Sequence, residues 1–385
     1  MSYLFPTYAR WDVTPVQAKG TYLTDKDGKE YLDFTSGISV CNLGHAPENV
    51  KKAVKVQLDQ FWHTSNLFQI ELQEEVAKQL TDASGLDLVF FGNSGAEANE
   101  AAIKLARKST GRTKVITFVD SFHGRTFATM AATGQDKIKT GFGPMLEAFE
   151  YAKMNDLDSL KAALDHDTAA IMFEVIQGEG GINEGGADFL KQAEALAHEN
   201  GSLVIIDEIQ TGIGRTGKPF AFQHIGLNPD IISVAKGIAS GFPLGAIVGK
   251  ASLADAFSPG SHGSTFGGNP VALAAAKETL TTIFDDAFSA GVAEKGKKLH
   301  ALLHEALKDE PVFKQLKGRG LMVGIELTEE AGPFLAKARE QGLLILTAGT
   351  HVIRLLPPLT VTEDEIEKAV AVITNILTSK KKAAT

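Results

Sequence analysis

The chain has 385 residues, 44% of them apolar, and a formal net charge of −9. That length exceeds what one compact core holds, so about two domains are expected, and the acidic balance argues against a general nucleic-acid or membrane-surface binder, which needs a basic face. The lone cysteine, Cys41, excludes an internal disulfide framework and a cysteine-based zinc site, and makes a reducing cytoplasm the simplest compartment.

In chain order, Met1 to Pro6 lack a basic segment followed by an apolar one, so no secretory signal is expected. No apolar stretch is long enough to span a bilayer. Tyr22-Leu23-Thr24 and Tyr31-Leu32-Asp33-Phe34 flank Asp27-Gly28, the pattern of a β-hairpin. Apolar runs then recur at 88–91, 115–119, 170–175, 203–206, 231–234 and 246–248, several of them separated by helical patterns such as 96–108 and 189–200. This alternation predicts an α/β large domain, a mostly parallel sheet covered by helices. Ligands bind such sheets beyond the carboxyl ends of the strands. That rule places Asn93, Phe122, Glu179, Asp207 and Lys236 on one rim. After about Pro270 a long helical stretch leads to a smaller α+β unit with strands over 321–327, 343–346 and 352–355. The final helix opens on Thr362 and Glu365 in capping-box spacing. Its apolar stripe is Ile366, Ala369, Val370, Ile373 and Leu377. The N-terminal hairpin is expected to pack with this unit. The expected division is 1–50 (N-terminal part of a small domain), 51–275 (large, cofactor-binding domain) and 276–385 (linking helix and the rest of the small domain). Lys380-Lys381-Lys382 follows the last helix and is read as solvating its C-terminal end.

The chemistry centres on Lys236, which closes the apolar run Ile231-Ile232-Ser233-Val234-Ala235. An amine there loses hydration, which disfavours its charged form, and a neutral amine is a nucleophile toward carbonyls. Asp207 closes a second apolar run, Leu203-Val204-Ile205-Ile206. An amine and a carboxylate in one crevice suit pyridoxal phosphate, the amine for the aldehyde and the carboxylate for the ring nitrogen. Asn93-Ser94-Gly95-Ala96 opens a helix after a strand, a ready phosphate site. In Phe122-His123-Gly124-Arg125 the ring can stack on a flat cofactor and the arginine can fork onto a carboxylate. His123 reads as a packing or hydrogen-bonding residue, since no second metal ligand sits at helical spacing, and no metal site is expected. Glu179, within Gln177-Gly178-Glu179-Gly180-Gly181, is a general base, a switchable partner for an arginine, or a turn acid. Arg354, in an apolar strand, needs an anion from protein or substrate. Gly260 to Pro270 form a glycine-dense polar loop whose hydroxyls can reach a phosphate, without the context of a serine hydrolase. Gly212-Ile213-Gly214-Arg215-Thr216-Gly217 imitates a dinucleotide fingerprint, and with Lys218 nearly a Walker A loop. Four residues separate it from its strand, and Pro219 stands where a magnesium-binding hydroxyl belongs, so nucleotide binding is rejected.

Taken in order, Asn93-Ser94-Gly95-Ala96-Glu97-Ala98, Phe122-His123-Gly124-Arg125-Thr126, Gln177-Gly178-Glu179-Gly180-Gly181, Asp207-Glu208-Ile209-Gln210-Thr211-Gly212 and Ala235-Lys236-Gly237 resemble the class III, fold type I, pyridoxal-phosphate-dependent aminotransferases. The resemblance runs from about Gly20 to Leu377 and departs from the common pattern at Val175, where proline is frequent. It implies that Lys236 binds the cofactor aldehyde and shuttles the proton, and that Asp207 holds the pyridine nitrogen protonated. It implies further that Phe122 stacks on the ring, that Gln210 contacts the phenolic oxygen, and that Gly95 and Ala96 donate to the phosphate. Thr265 would reach the phosphate of a neighbouring subunit and Ser264 that subunit's substrate, which implies an obligate homodimer with shared sites. Arg125 would clamp the substrate α-carboxylate. Arg354 would bind the second carboxylate of 2-oxoglutarate or glutamate, with Glu179 neutralising it when the other substrate is present. Trp62-His63-Thr64-Ser65-Asn66-Leu67-Phe68 and Gly260-Ser261-His262-Gly263-Ser264-Thr265 look most like members acting on N2-acetylornithine in arginine biosynthesis. Ile38 stands where members acting on free ornithine usually carry tyrosine. Succinylornithine, N-succinyl-diaminopimelate, 4-aminobutyrate and ornithine remain alternative donors. A non-catalytic fold relative is the alternative of another class, and the intact Lys236, Asp207 and Arg125 speak against it.

Overall fold

Buried apolar runs dictate the central sheet. The computed structural model describes residues 3–378, so Lys380-Lys381-Lys382 lies outside the described residues. The largest sheet among them has seven strands in the spatial order Leu88–Gly92, Gly245–Gly249, Ile231–Val234, Leu203–Asp207, Thr168–Phe173, Lys114–Phe118 and Phe149–Ala152. All run parallel except Gly245–Gly249, which is antiparallel to both neighbours. Thr168–Phe173, Ile231–Val234 and Gly245–Gly249 are buried at every position, as expected for strands covered on both faces. Successive side chains enter opposite cores. Ile205 joins Ile231, Met172 and the alanine-rich face of the helix Gly95–Thr110, whereas Val204 and Ile206 join Ile232, Leu190 and Leu273. Alanines at 98, 101, 102 and 106 let that helix lie close to the sheet and bring its first turn to the rim.

The expected hairpin is present as Tyr22–Asp25 and Glu30–Asp33, flanked by Pro15–Lys19. Leu343–Leu344 completes this sheet by pairing parallel with Leu32 and Asp33. A further sheet contains Phe313–Arg319, Met322–Leu327, Val352–Leu355 and Leu346–Ala348. The run 343–346, expected as one strand, therefore divides at Ile345 between two sheets, because Leu346 pairs with Arg354. Leu343, Leu344 and Ile345 are all buried, so no alternation of polarity marks the change of partner. The last helix, Glu363–Thr378, has its capping box: Thr362 N donates to Glu365 Oε2 at 2.8 Å and Glu365 N to Thr362 Oγ1 at 3.3 Å. No helix among the described residues is long and apolar enough to cross a membrane.

Asp33, where the N-terminal sheet turns inward, accepts from Thr35 and Ser36 through one oxygen and contacts His45 Nε2 at 2.8 Å through the other. That bond, with help from Cys41, pushes His45 from 6.5 up to about 10. The folded chain thus holds a proton that the unfolded chain releases near 6.5. The stabilisation is complete below that pH and is lost as the pH rises toward 10. The unfolding temperature should fall across this window more steeply in the native chain than in His45→Gln. Parallel pH profiles would remove the pair from the account.

Candidate active site

The rim is built where strands end. After Leu88–Gly92, Ser94 caps the helix Gly95–Thr110, its Oγ accepting from Glu97 N at 3.2 Å. The Glu97 carboxylate folds back onto Asn93, bonding its backbone N and, at 3.1 Å, its Nδ2. The first-turn amides of Gly95 and Ala96 have no acceptor within the helix, and both residues line a cavity of about 470 Å³. Phe122, Arg125, Asp207, Gln210 and Lys236 line the same cavity. The Arg125 guanidinium lies 5.8 Å from the centroid of the Phe122 ring.

Asp207 is 3% exposed and firmly held. Its Oδ2 accepts from Asn99 Nδ2 and pairs with His123 Nδ1, each at 2.8 Å, and its Oδ1 accepts from Ile209 N at 3.0 Å. Burial opposes charge on His123, but the Asp207 bond and charge outweigh it and raise the imidazole above its ordinary value. Asn99 Nδ2 also donates to His123 O at 2.8 Å, and His123 N donates to Thr133 Oγ1 at 2.9 Å. Glu174 accepts from the backbone N–H groups of Phe122 and Gly178, each at 3.1 Å, tying two rim loops together; burial pushes its carboxyl up. Asn99 and Glu174 were not singled out from sequence, and His123 only as a hydrogen-bonding residue. The available signal was a polar residue within the alanine-rich buried face of one helix and a glutamate within an apolar run.

Lys236 follows Ile231–Val234 with a φ of +48°, a left-handed conformation that costs a non-glycine residue on the order of 1 kcal/mol or more. Burial lowers its amine below the ordinary value, against the pull of Glu179. Glu179 and Arg354 form a two-pronged pair: Nη1 to Oε1 at 2.7 Å and Nη2 to Oε2 at 3.2 Å. Glu179 is thus paired with an arginine. Burial works against charge on Glu179, and Arg354 overrides it, holding the carboxyl below its usual range. Gln210 joins this pair, accepting from Arg354 Nη1 at 3.0 Å and donating to Glu179 Oε1 at 3.3 Å.

Ser264 and Thr265 do not line this chain's cavity. Ser264 Oγ accepts from Gly267 N at 2.9 Å and Asn93 Nδ2 at 3.2 Å, and Thr265 is exposed. Asn66 donates to Ser264 O and Gly267 O, each at 3.1 Å, so the segments 62–68 and 260–265 are neighbours. Arg215, from the rejected nucleotide pattern, is wholly buried and turned toward the C-terminal unit.

These groups fit pyridoxal phosphate by type. There is one lysine on the cavity wall, a buried carboxylate fixed by three donors, an aromatic ring, and helix-terminal amides of the kind that hold phosphates. On a mostly parallel sheet they define a fold type I pyridoxal-phosphate enzyme. The chain belongs to the class III aminotransferases: the family model described as aminotransferase class-III matches residues 7–377. It is 58% identical over 372 residues to the acetylornithine aminotransferase of Bacillus subtilis strain 168, covering 96% of each chain. It is 60% identical over 377 residues to that of Halalkalibacterium halodurans, covering 98% of each. Among solved structures, the N-acetylornithine aminotransferase of Stenotrophomonas maltophilia K279a superposes with a TM-score of 0.86 at 34% identity, covering 98% of each chain. The ornithine aminotransferase of Toxoplasma gondii ME49 gives 0.94 at 33%, covering 99% of this chain and 94% of that one.

Proposed function

We propose that this chain, as a homodimer, moves the δ-amino group of N2-acetyl-L-ornithine to 2-oxoglutarate, yielding N-acetylglutamate 5-semialdehyde and glutamate. The observation that carries the reading is the Arg354–Glu179 pair beside Lys236. An enzyme that alternates between a substrate with one carboxylate and one with two needs a cation that can be covered. A buried charge left without its partner costs about 3–5 kcal/mol. The names of the relatives favour the acetylated donor.

Bound pyridoxal phosphate supplies an electron sink for the bond broken at the amine-bearing carbon. Lys236 Nζ would take that carbon's proton and hold it for return to the carbon that receives the amine, its lowered amine suited to both acts. Asp207 holds a proton on the ring nitrogen. Phe122 would pack on the ring face, and the amides of Gly95 and Ala96 would bond the phosphate. Gln210 would bond the phenolic oxygen while remaining in the Glu179–Arg354 network. Arg125 binds the carboxylate common to both substrates, and Arg354 the one that only 2-oxoglutarate or glutamate adds. Thr265 and Ser264 complete the neighbouring subunit's site. On this reading the chain divides at about 50 and 275, both termini contributing the small domain.

Arg125→Ala should raise KM for both substrates by about 10- to 100-fold, the loss of a charge-assisted hydrogen bond. A rise for 2-oxoglutarate alone would assign the shared carboxylate to Arg354. Glu179→Gln leaves Arg354 uncovered when the amine donor binds. KM should rise for acetylornithine and fall for 2-oxoglutarate, the ratio moving at least about tenfold. An unmoved ratio would exclude the switch. The reading as a whole is tested with a panel of donors (acetylornithine, succinylornithine, N-succinyl-diaminopimelate, 4-aminobutyrate, ornithine) with glutamate formation as the signal. Acetylornithine should have the highest kcat/KM, and a clear preference for another donor would replace it.

A further inference from the structure

Arg215 has no role in the chemistry above, yet it is 0% exposed and burial alone shifts its guanidinium, so no carboxylate compensates it among the described residues. A buried cation of this kind is a poor investment in stability, since apolar replacements of buried charges are often neutral or stabilising. What it contacts gives it another use. Nη1 donates to Leu321 O at 3.1 Å and Pro357 O at 2.5 Å, anchoring it to the C-terminal unit. Nε donates to Ser39 Oγ at 2.9 Å and Nη2 to Asn42 Oδ1 at 2.7 Å.

Both of the latter contacts lead to the cavity. Ser39 ends a run of four left-handed residues, Ser36, Gly37, Ile38 and Ser39, with φ of 46°, 63°, 66° and 63°. Three of these are not glycine, and one is β-branched, so the run is costly and must be held from outside. Ser36 Oγ, which donates to Leu356 O at 2.7 Å, holds one end, and Arg215 holds the other. The next residue, Val40, is part of the cavity wall. Asn42 is fixed by Arg215 on one side and by its own Nδ2, donating to Ile213 O at 2.9 Å, on the other. Its amide lies against Gly237, where any Cβ would collide with it. Gly237 directly follows Lys236, whose backbone is itself left-handed.

We propose that Arg215 is a positioning residue that, through Asn42, holds the strained backbone of Lys236 and, through Ser39, holds the left-handed turn presenting Val40 to the cavity. The proposal rests on Lys236 being the reacting amine. Lysine at 215 offers one ammonium where four acceptors require a fork. In Asn42→Ala the support against Gly237 is removed without placing a new charge.

The test compares the holoenzyme forms of the native chain, Arg215→Lys, Asn42→Ala and Ser39→Ala, with folding checked by circular dichroism and unfolding temperature. In Asn42→Ala, kcat should fall at least about tenfold, toward the roughly 10²-fold typical of an ångström-scale misplacement. KM for 2-oxoglutarate should stay within about twofold, because neither arginine assigned to its carboxylates is disturbed. The pH midpoint of the cofactor's visible absorption band should move by at least about half a unit, since the amine's surroundings set it. Ser39→Ala should change KM for the amine donor more than kcat. Arg215→Lys should show both effects. If that variant does not fold, Asn42→Ala and Ser39→Ala decide. An unfolding temperature that drops while kcat per folded molecule and the band midpoint stay at native values would reduce Arg215 to a structural brace and overturn the proposal. Borohydride treatment of the native chain separates this from a failure of the underlying reading, which would appear as cofactor fixed elsewhere than Lys236.

Discussion

Lys236→Ala should lower turnover by at least about 10⁴-fold, the upper range for removal of a positioned acid–base group. The size follows from the cavity wall. Lys236 is its only lysine, and the nearest other titratable groups are already engaged: Asp207 by three donors, Glu174 by two backbone amides, Glu179 by Arg354. His123, the remaining base, points its Nδ1 at Asp207. Its Nε2 is without a partner among the described residues, but Asp207 raises the imidazole above its ordinary value, which favours a ring that already carries its proton. The fold should survive, because burial already works against the charged amine and removing it relieves that penalty. The unfolding temperature should therefore stay within a few degrees, and the variant should still take up the cofactor through the helix-terminal amides and Phe122. Turnover within tenfold of the native chain would hand the proton to another group.

Asp207→Asn should cost between about 10² and 10⁴ in turnover, and about 1–3 kcal/mol of stability, because a buried donor loses its acceptor. The amide has the shape of the carboxylate, but its single oxygen can serve either Ile209 N or the Asn99 and His123 donors, and its nitrogen faces the other side. It cannot hold a proton on a ring nitrogen by charge. It also withdraws the negative charge that raises His123 above its ordinary value. The imidazole should consequently titrate lower in the variant, a shift that nuclear magnetic resonance can follow. An unchanged rate would mean that some other group stabilises the ring charge.

The sheet was legible where burial is complete. Runs such as Ile231–Val234 have water on neither face, so composition alone marks them. Strands with exposed positions escaped notice: Pro15–Lys19, Phe149–Ala152 and Phe313–Arg319 carry polar residues and no sustained apolar run. Rim positions were legible where a residue ends a strand or opens a helix, as Asp207 and Gly95 do, whereas Phe122 and Glu179 lie in loops beyond their strands. Asn99 and Glu174 were not, and His123 was legible only as a packing or hydrogen-bonding residue, because their partners lie 108, 52 and 84 residues away along the chain. Arg215 stood in a glycine pattern already rejected as a nucleotide site, and no role for it was read: Gly214 and Gly217, with φ of 79° and 89°, flank it in a turn, and its side chain is wholly buried. Gln210 was expected at the phenolic oxygen, and its hydrogen bonds to Arg354 and Glu179 were not foreseeable from spacing.

The central claim is that one amine in this chain reacts with the cofactor. Purified yellow protein should be reduced with borohydride, digested, and its peptides weighed by mass spectrometry. The account predicts a phosphopyridoxyl group on the peptide carrying Lys236 and on no other lysine. A label on a different lysine, or full activity in protein that carries no cofactor, would contradict it.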